Sequence, residues 1–323
     1  MDPPVDASAD TGERPELSVV APLYNEEGNV GSLVTALQET LAPLGISYEI
    51  LLVDDGSRDG TWRLIREASA SDSHIKGISF SRNFGHQNAL YAGMHYATGQ
   101  AVVTMDGDLQ HPPATIPQLI QSWREGHKVV ETQRIDSDDT SFFKRLTSRW
   151  FYGIFSLLSG LPLARGTSDF RLLDRQVVEN LKNMKDSDLF LRGLSHWVGY
   201  RKTTIPYHAA PRHAGRTKYS LFRMIRFATS SLLSFSVVPL RLGIYLGLFT
   251  SVLAFAELVY IFVRYLQGNA VPGWASILTV ISFMFGILFI LIGILGAYLG
   301  SIFETLKNRP RFLVNETAGF RDA

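Results

Sequence analysis

The sequence predicts an α/β domain built on a mostly parallel sheet, followed by two membrane-spanning helices. Three observations lead there. Short β-rich runs alternate with helical patterns, charge is segregated along the chain, and the C-terminal quarter holds two long apolar runs.

The β-rich runs are LSVVAP (17–22), YEILLVDD (48–55), HIKGISFS (74–81), AVVTMDGD (101–108) and KVVETQR (128–134), with helical patterns such as NVGSLVTALQETL, GTWRLIREAS and QNALYAGMHYA between them. Such alternation implies a parallel sheet covered on both faces. Ligands of these sheets bind at the carboxyl ends of the strands. The unusual residues sit there: Asn25 and Glu26 after the first run, Asp54 and Asp55 ending the second, Asp106 and Asp108 ending the fourth, and Arg134 ending the fifth.

The 323 residues carry 31 Lys/Arg and 30 Asp/Glu, a net charge of +1. That balance is a cancellation. Residues 1–188 carry 17 basic and 26 acidic groups, residues 189–241 carry nine basic and none acidic, and residues 242–323 carry five and four. An acidic body, a basic collar and a nearly uncharged tail point to a membrane rather than to nucleic acid. The absence of cysteine removes disulfides, thiolate metal sites and cysteine nucleophiles.

The first apolar run, Leu242–Val263, has one charge, Glu257, in 22 residues; the second, Ser276–Phe303, has none in 28. Each is long enough for a hydrocarbon core of about 30 Å. Their outer flanks are basic, and the break between them carries only Arg264. The positive-inside rule therefore places both termini in the cytoplasm and the tip of the hairpin outside. The expected divisions are a disordered tail (1–16, with no signal peptide), a cytoplasmic domain (17–215), juxtamembrane helices (216–241), spans at 242–264 and 276–303, and a cytoplasmic tail (304–323). Within the collar, Leu221, Met224, Ile225, Ala228 and Leu232 have helical spacing, the pattern of a basic amphipathic helix in the headgroup layer. Residues 142–158 read equally as a second interfacial helix or as a core helix. Glu257 reads as a group at a helix–helix contact. Two spans leave lateral faces for packing, so a homo-oligomer is expected.

Neither a dinucleotide fingerprint nor a P-loop is present, so phosphate binding falls to a metal. Asp106-Gly107-Asp108-Leu109-Gln110 alternates three oxygen donors, which suit Mg²⁺ or Mn²⁺ shared with substrate phosphates. His111, beside Pro112 and Pro113, reads as a turn residue. His86 and Gln87 read either as nucleotide contacts or as a helix start. The tryptophans read as packing residues, with Trp274 near a span end as an aromatic anchor.

Six motifs occur in order: VVAPLYNEE, VDDGSRDGT, RNFGHQNAL, MDGDLQHPP, GTSDFRLLDR and HAGRTKYS. Over about residues 17–310 the chain resembles the membrane-bound polyprenyl-phosphate glycosyltransferases, in particular the bactoprenol glucosyltransferase branch alongside dolichol-phosphate mannose synthases. The resemblance implies a GT-A fold and inverting transfer from a nucleotide-sugar donor, UDP-glucose by preference and GDP-mannose next, to undecaprenyl or another polyprenyl phosphate. It further implies that Pro22, Tyr24, Asn25 and Glu26 hold the nucleoside and that Asp55 reads the base. Asp106, Asp108 and Gln110 would form the metal set. Arg134 and Arg212 would hold phosphates, Arg216 and Lys218 would join Arg212 at the lipid phosphate, and Asp169 would lie near the acceptor. Gly107 is a small departure, where many relatives carry alanine.

A phosphate monoester has a second pKa near about 6, so the acceptor is largely ionised at neutral pH and a strong base is not obligatory. Asp169 is therefore expected to orient groups rather than to remove a proton. A processive polysaccharide synthase is the competing enzyme class, but its Q-x-x-R-W motif is absent and two spans are few for a polymer channel. A non-catalytic nucleotide sensor fits poorly with retention of every motif.

Overall fold

The computed structural model describes residues 14–135, 167–184, 191–208, 238–267 and 273–320. Most of the N-terminal tail, residues 142–158, the amphipathic collar, and Arg212, Arg216 and Lys218 lie outside them.

The strands are β1 (Leu17–Leu23), β2 (Tyr48–Asp54), β3 (Ile75–Phe80), β4 (Ala101–Thr104), β5 (Val129–Ile135), β6 (Thr167–Asp174), β7 (Lys202–His208) and β8 (Val314–Ala318). They form one sheet in the order β7-β5-β6-β4-β1-β2-β3-β8. The β1–β2, β1–β4, β2–β3 and β5–β7 pairs are parallel, whereas β6 runs antiparallel between β4 and β5.

The helices α1 (Glu27–Leu41), α2 (Thr61–Ser71), α3 (His86–Tyr96), α4 (Ile116–Arg124), α5 (Arg175–Lys182) and α6 (Leu191–Trp197) cover the two faces. Strand β1 is buried along its whole length, as a central strand covered on both sides must be. Leu17, Val19, Ala21 and Leu23 pack with Leu33, Leu37, Ile65 and Leu119. Val20 packs on the opposite face with Ala89, Met94, Val177 and Leu194. Gly93 of α3 is required by this packing, because a Cβ there would lie 2.1 Å from Val20 Cγ1.

Three strands escape the alternation seen in the sequence. β6 carries Asp169 and Arg171 on one face, which disguises a buried strand. β7 contains Pro206, tolerated because β7 is an edge. β8 lies in the expected tail and is instead the other edge of the sheet, antiparallel to β3. Leu313 accepts the Ser81 N–H at 3.0 Å, Trp62 Nε1–H donates to Glu316 at 2.8 Å, and Phe312 stacks on Phe80 at 5.2 Å. Gly319 closes the strand at φ +74°, and a Cβ there would lie 2.4 Å from the Ile75 carbonyl oxygen.

Two further helices, α7 (Val238–Leu266) and α8 (Trp274–Leu306), are long and apolar enough to cross a membrane. They meet where Gly243 and Gly247 face Leu291. Many of their described apolar side chains are open, with Phe255 68 % and Phe289 67 % exposed.

If β8 is part of the domain, Phe312→Ala should destabilise it by about 2 kcal/mol, below the range for a fully buried phenylalanine because Phe312 is half-buried. Thermal unfolding of the full chain, followed through the sheet domain, measures this. A loose tail would leave the transition unmoved.

Candidate active site

The strand order brings the functional loops together, because β1 lies between β2 and β4. The first lobe joins the loops after β1 and β2. Asn25 sits at φ 54°, a left-handed conformation that asparagine tolerates better than most residues. Its N–H donates to Ser57 Oγ at 2.9 Å and its side-chain oxygen accepts the Arg58 N–H at 2.8 Å. The Glu26 N–H donates to Thr61 Oγ1, and Glu27 accepts the Gly60 N–H. Much of the SRDGT motif is thereby accounted for as a fastening of the two loops. Tyr24, 43 % exposed, projects from this lobe, while Pro22 is buried in β1.

Asp55 is buried and accepts the N–H groups of Phe84, at 2.7 Å, and Gly85. Burial, with a smaller push from Asp54, raises its carboxyl above the ordinary value despite these hydrogen bonds. Asp54 is structural, accepting from Ser57 N–H and from Ser79 Oγ–H. Gly56, at φ +67°, lets the loop pass against Arg82 and Asn83, where a Cβ would lie 2.4 Å from the Arg82 carbonyl carbon.

The second lobe is the Asp106–Gln110 turn. Leu109 adopts φ 60°, a strained conformation for leucine that costs about 1–2 kcal/mol. His111 supports the turn from below: it is buried, stacks on Phe170 at 5.2 Å, and accepts the Asp106 N–H on Nδ1 at 2.9 Å. Burial holds it below the usual histidine value despite nearby carboxylates. The expected turn residue is thus a buried pillar, with the neutral ring's proton on Nε2. Gly107 faces Leu23, and a Cβ there would lie 2.4 Å from Leu23 Cδ2. Arg134 reaches towards Gln110, with 3.5 Å between its guanidinium and Oε1.

Asp106 Oδ1 and Gln110 Nε2 are buried and make no hydrogen bond, although His86 Nε2 lies 3.3 Å from Asp106 Oδ1. A carboxylate oxygen left without a hydrogen bond in a strained acidic turn fits a cation. Among the described residues, no three His, Cys, Asp or Glu side chains converge to hold one alone. The donors therefore fit an ion completed by substrate oxygens rather than a closed protein cage.

Asp169, on β6, ties the site to its surroundings. It is buried, receives two hydrogen bonds of 2.9 Å from the Arg192 guanidinium, and accepts a third from Arg171 at 3.2 Å. Gln87 donates to it at 3.2 Å and, through its own Oε1, accepts the Leu191 N–H at 3.3 Å. His86 stands between the lobes, its Nε2 3.3 Å from Asp106 Oδ1 and 3.6 Å from Asp169 Oδ2. His86 and Gln87 thus start a helix and also face the acidic centre.

Burial would raise the Asp169 carboxyl, but the Arg192 charge, the nearby His86 ring, the Arg192 hydrogen bonds and the Arg171 charge hold it well below the usual carboxylate range. Desolvation would lower His86, yet the nearby carboxylates of Asp169 and Asp106 hold it above the usual histidine value. Arg171 and Arg192 went unread in the sequence. Arg171 could have been found two residues after Asp169, on the same face of a strand. Arg192, 23 residues away, gives no local signal.

The model for glycosyl transferase family 2 matches residues 18–182. An uncharacterized glycosyltransferase of Synechocystis is 39 % identical over 305 residues, covering 94 % of this chain and 96 % of the relative. The bactoprenol glucosyl transferase of Shigella phage SfII is 36 % identical over 303 residues, covering 94 % and 98 %. The crystal structure of a mycobacterial protein is similar in fold at a TM-score of 0.50, with 20 % identity over 69 % of this chain and 75 % of that one.

Arg192→Gln should cost about 2 kcal/mol, less than the ~3–5 kcal/mol for breaking a fully buried pair, because Arg192 is a third exposed and Arg171 remains. The folded-state pKa of Asp169 lies below its unfolded value, so its stability contribution is present above about pH 4 and lost as pH falls through the depressed value. Without Arg192 the folded value rises, and acid destabilisation should begin at higher pH. Thermal melts between pH 3 and 7 test both effects.

Proposed function

The chain belongs to glycosyl transferase family 2, and from that premise we propose that it moves glucose from UDP-glucose to a polyprenyl phosphate at the cytoplasmic face of a bacterial membrane. The observation that carries this reading is the juxtaposition of an acidic turn and a pinned anion with two long apolar helices in the same chain. The bactoprenol glucosyl transferase named above, similar over nearly the whole chain, supports the acceptor and the sugar.

The transfer forms a bond from an acceptor phosphate oxygen to the sugar anomeric carbon, with inversion. As that bond forms, the carbon–oxygen bond to the nucleoside diphosphate breaks and the diphosphate leaves with the electron pair. Asp106, Asp108 and Gln110 would hold Mg²⁺ or Mn²⁺, which supplies positive charge beside the leaving diphosphate. Arg134, at the edge of the same turn, adds a fixed cation to that end of the site. Pro22, Tyr24, Asn25, Glu26 and Asp55 form the nucleoside lobe, with Asp55 reading the base. Arg212, Arg216 and Lys218 serve the lipid phosphate.

Asp169 is an orienting anion in this mechanism. Held ionised by two arginines, it is a poor proton acceptor near neutral pH. The ionised acceptor needs no strong base. Its bonds to Arg192, Arg171 and Gln87 fix it beside His86 and the metal-binding turn.

The sheet supports the proposed topology. β7, before the two apolar helices, and β8, after them, belong to one sheet, so a chain spanning a bilayer between them would cross it an even number of times. Two spans satisfy this and agree with the basic flanks. The catalytic domain and the C-terminal strand then share the cytoplasmic side.

Membranes containing the chain, given undecaprenyl phosphate and labelled nucleotide-sugars, should place label from UDP-glucose in organic-extractable lipid, and chelation of divalent ions should abolish it. Asp108→Asn should lower turnover by about 10²–10³-fold. Label from GDP-mannose instead would redirect the donor reading. Water-soluble polymer would contradict the acceptor.

A further inference from the structure

Phe312 lies in the short connection between α8 and β8, and residues 307–310 alone separate the end of α8 from Arg311. Both Arg311 and Phe312 pack against α3. The Arg311 guanidinium lies over the Tyr91 ring at 5.2 Å and donates to the Met184 carbonyl at 3.1 Å. Phe312 is half-buried and stacks on Phe80, with 5.2 Å between ring centres and 15° between planes. It also meets Tyr91 and His95 edge-on, each at 6.5 Å.

Phe80 carries this contact to the candidate site. It is buried, and its ring meets Phe84 edge-on at 5.7 Å. Phe84 and Gly85 are the residues whose N–H groups Asp55 accepts, at 2.7 Å and 3.0 Å. Asn88 holds the same segment from α3, its Nδ2–H donating to the Phe84 carbonyl at 2.8 Å. The β3–β8 pairing cannot by itself fix this strand end, because its register shifts between Ser79 and Phe80. A bulge disrupts the ladder locally. The packing of Phe312 therefore helps to set where β3 hands over to the Arg82–Gly85 loop.

We propose that Phe312 is a positioning residue for the nucleotide-sugar site. Its ring holds Phe80 and, through it, Phe84, so that the Phe84 and Gly85 N–H groups stay aligned on Asp55 and fix the orientation of that carboxylate. This rests on the reading of Asp55 as a nucleoside-binding group. The lobe built by the loops after β1 and β2 is thereby completed from beyond the second apolar helix.

Calorimetric titration of UDP into the full chain, with Mg²⁺ present, reads the effect without turnover. Phe312→Ala should weaken UDP binding about fivefold to tenfold, the size expected for losing one aromatic pair. Phe312→Leu keeps most of the apolar volume and removes the stacked ring, so it should show the same loss should the alanine variant fold poorly. Phe312→Tyr, which restores the ring, should bind within about twofold of the unsubstituted chain. Phe320→Ala is the control for a merely structural role. Phe320 packs edge-on against Tyr96 at 5.7 Å and lies 5.4 Å from the Lys76 amine, at the opposite end of β3. Its loss should loosen β8 and leave UDP affinity unchanged. In an Asp55→Asn background, Phe312→Ala should weaken UDP by no more than about twofold further, because both changes act through one group. Additive losses, unchanged affinity in both the alanine and leucine variants, or an equal loss in Phe320→Ala would overturn the positioning role alone. Unweakened binding in Asp55→Asn, or no UDP binding by the unsubstituted chain, would overturn the donor reading and this inference with it.

Discussion

Asp169 is a carboxylate held out of water, and its ion pairs with Arg171 and Arg192 are the interaction on which the catalytic end depends. A buried anion without partners would protonate or destabilise the fold. The partners supplied here do more than neutralise it. Arg171 also donates to Ser195 Oγ at 2.7 Å, drawing α6 onto β6, and Arg192 comes from α6 itself. Gln87 binds both Asp169 and the start of α6, adding α3 to the assembly. One turn further along α6, His196 lies 3.0 Å from the buried Glu131 of β5, the strand that carries Arg134. One ionic cluster thus sets the relation of β5, β6, α3 and α6. Asp106 meets that cluster through His86.

The lobe formed by the loops after β1 and β2 is organised by a different principle. Its loops are tied by backbone N–H groups donating to Ser57, Thr61, Asp59 and Glu27. The result is a preformed surface, with Tyr24 left exposed. The Asp106–Gln110 turn combines the two styles, with strained backbone at Leu109 and a neutral histidine beneath it. Strain at such a turn persists only where its surroundings over-determine it, and Phe170 stacked on His111 supplies that constraint.

Much of this architecture was legible in the sequence because strand ends obey a rule. Asn25, Asp55, Asp106 and Arg134 could be placed at one end of a parallel sheet from alternation alone, and the structure puts their strands in that relation. β6 was hidden because its buried charges satisfy one another, which hydropathy cannot register. β8 was hidden because a short polar edge strand gains its place from pairing with β3 and from Phe312 outside the strand itself. His111 read as a turn residue because nothing local announces the aromatic stack beneath it. Arg192 was invisible for a related reason: an ion pair between distant segments follows from the fold and leaves no spacing in the chain. The split of the net charge, by contrast, already marked the catalytic body apart from the apolar helices.

The central claim is that Asp169 remains an anion under working conditions and acts by orienting its neighbours. An isotope-edited infrared titration of the full chain, with the Asp169→Asn spectrum subtracted, observes that carboxyl directly. The ionised band should persist unchanged from pH 8 down to pH 4, because Arg171 and Arg192 hold the group well below the usual carboxylate range. Appearance of the protonated carboxyl between pH 5 and 7 would contradict the account and return Asp169 to the role of a proton acceptor.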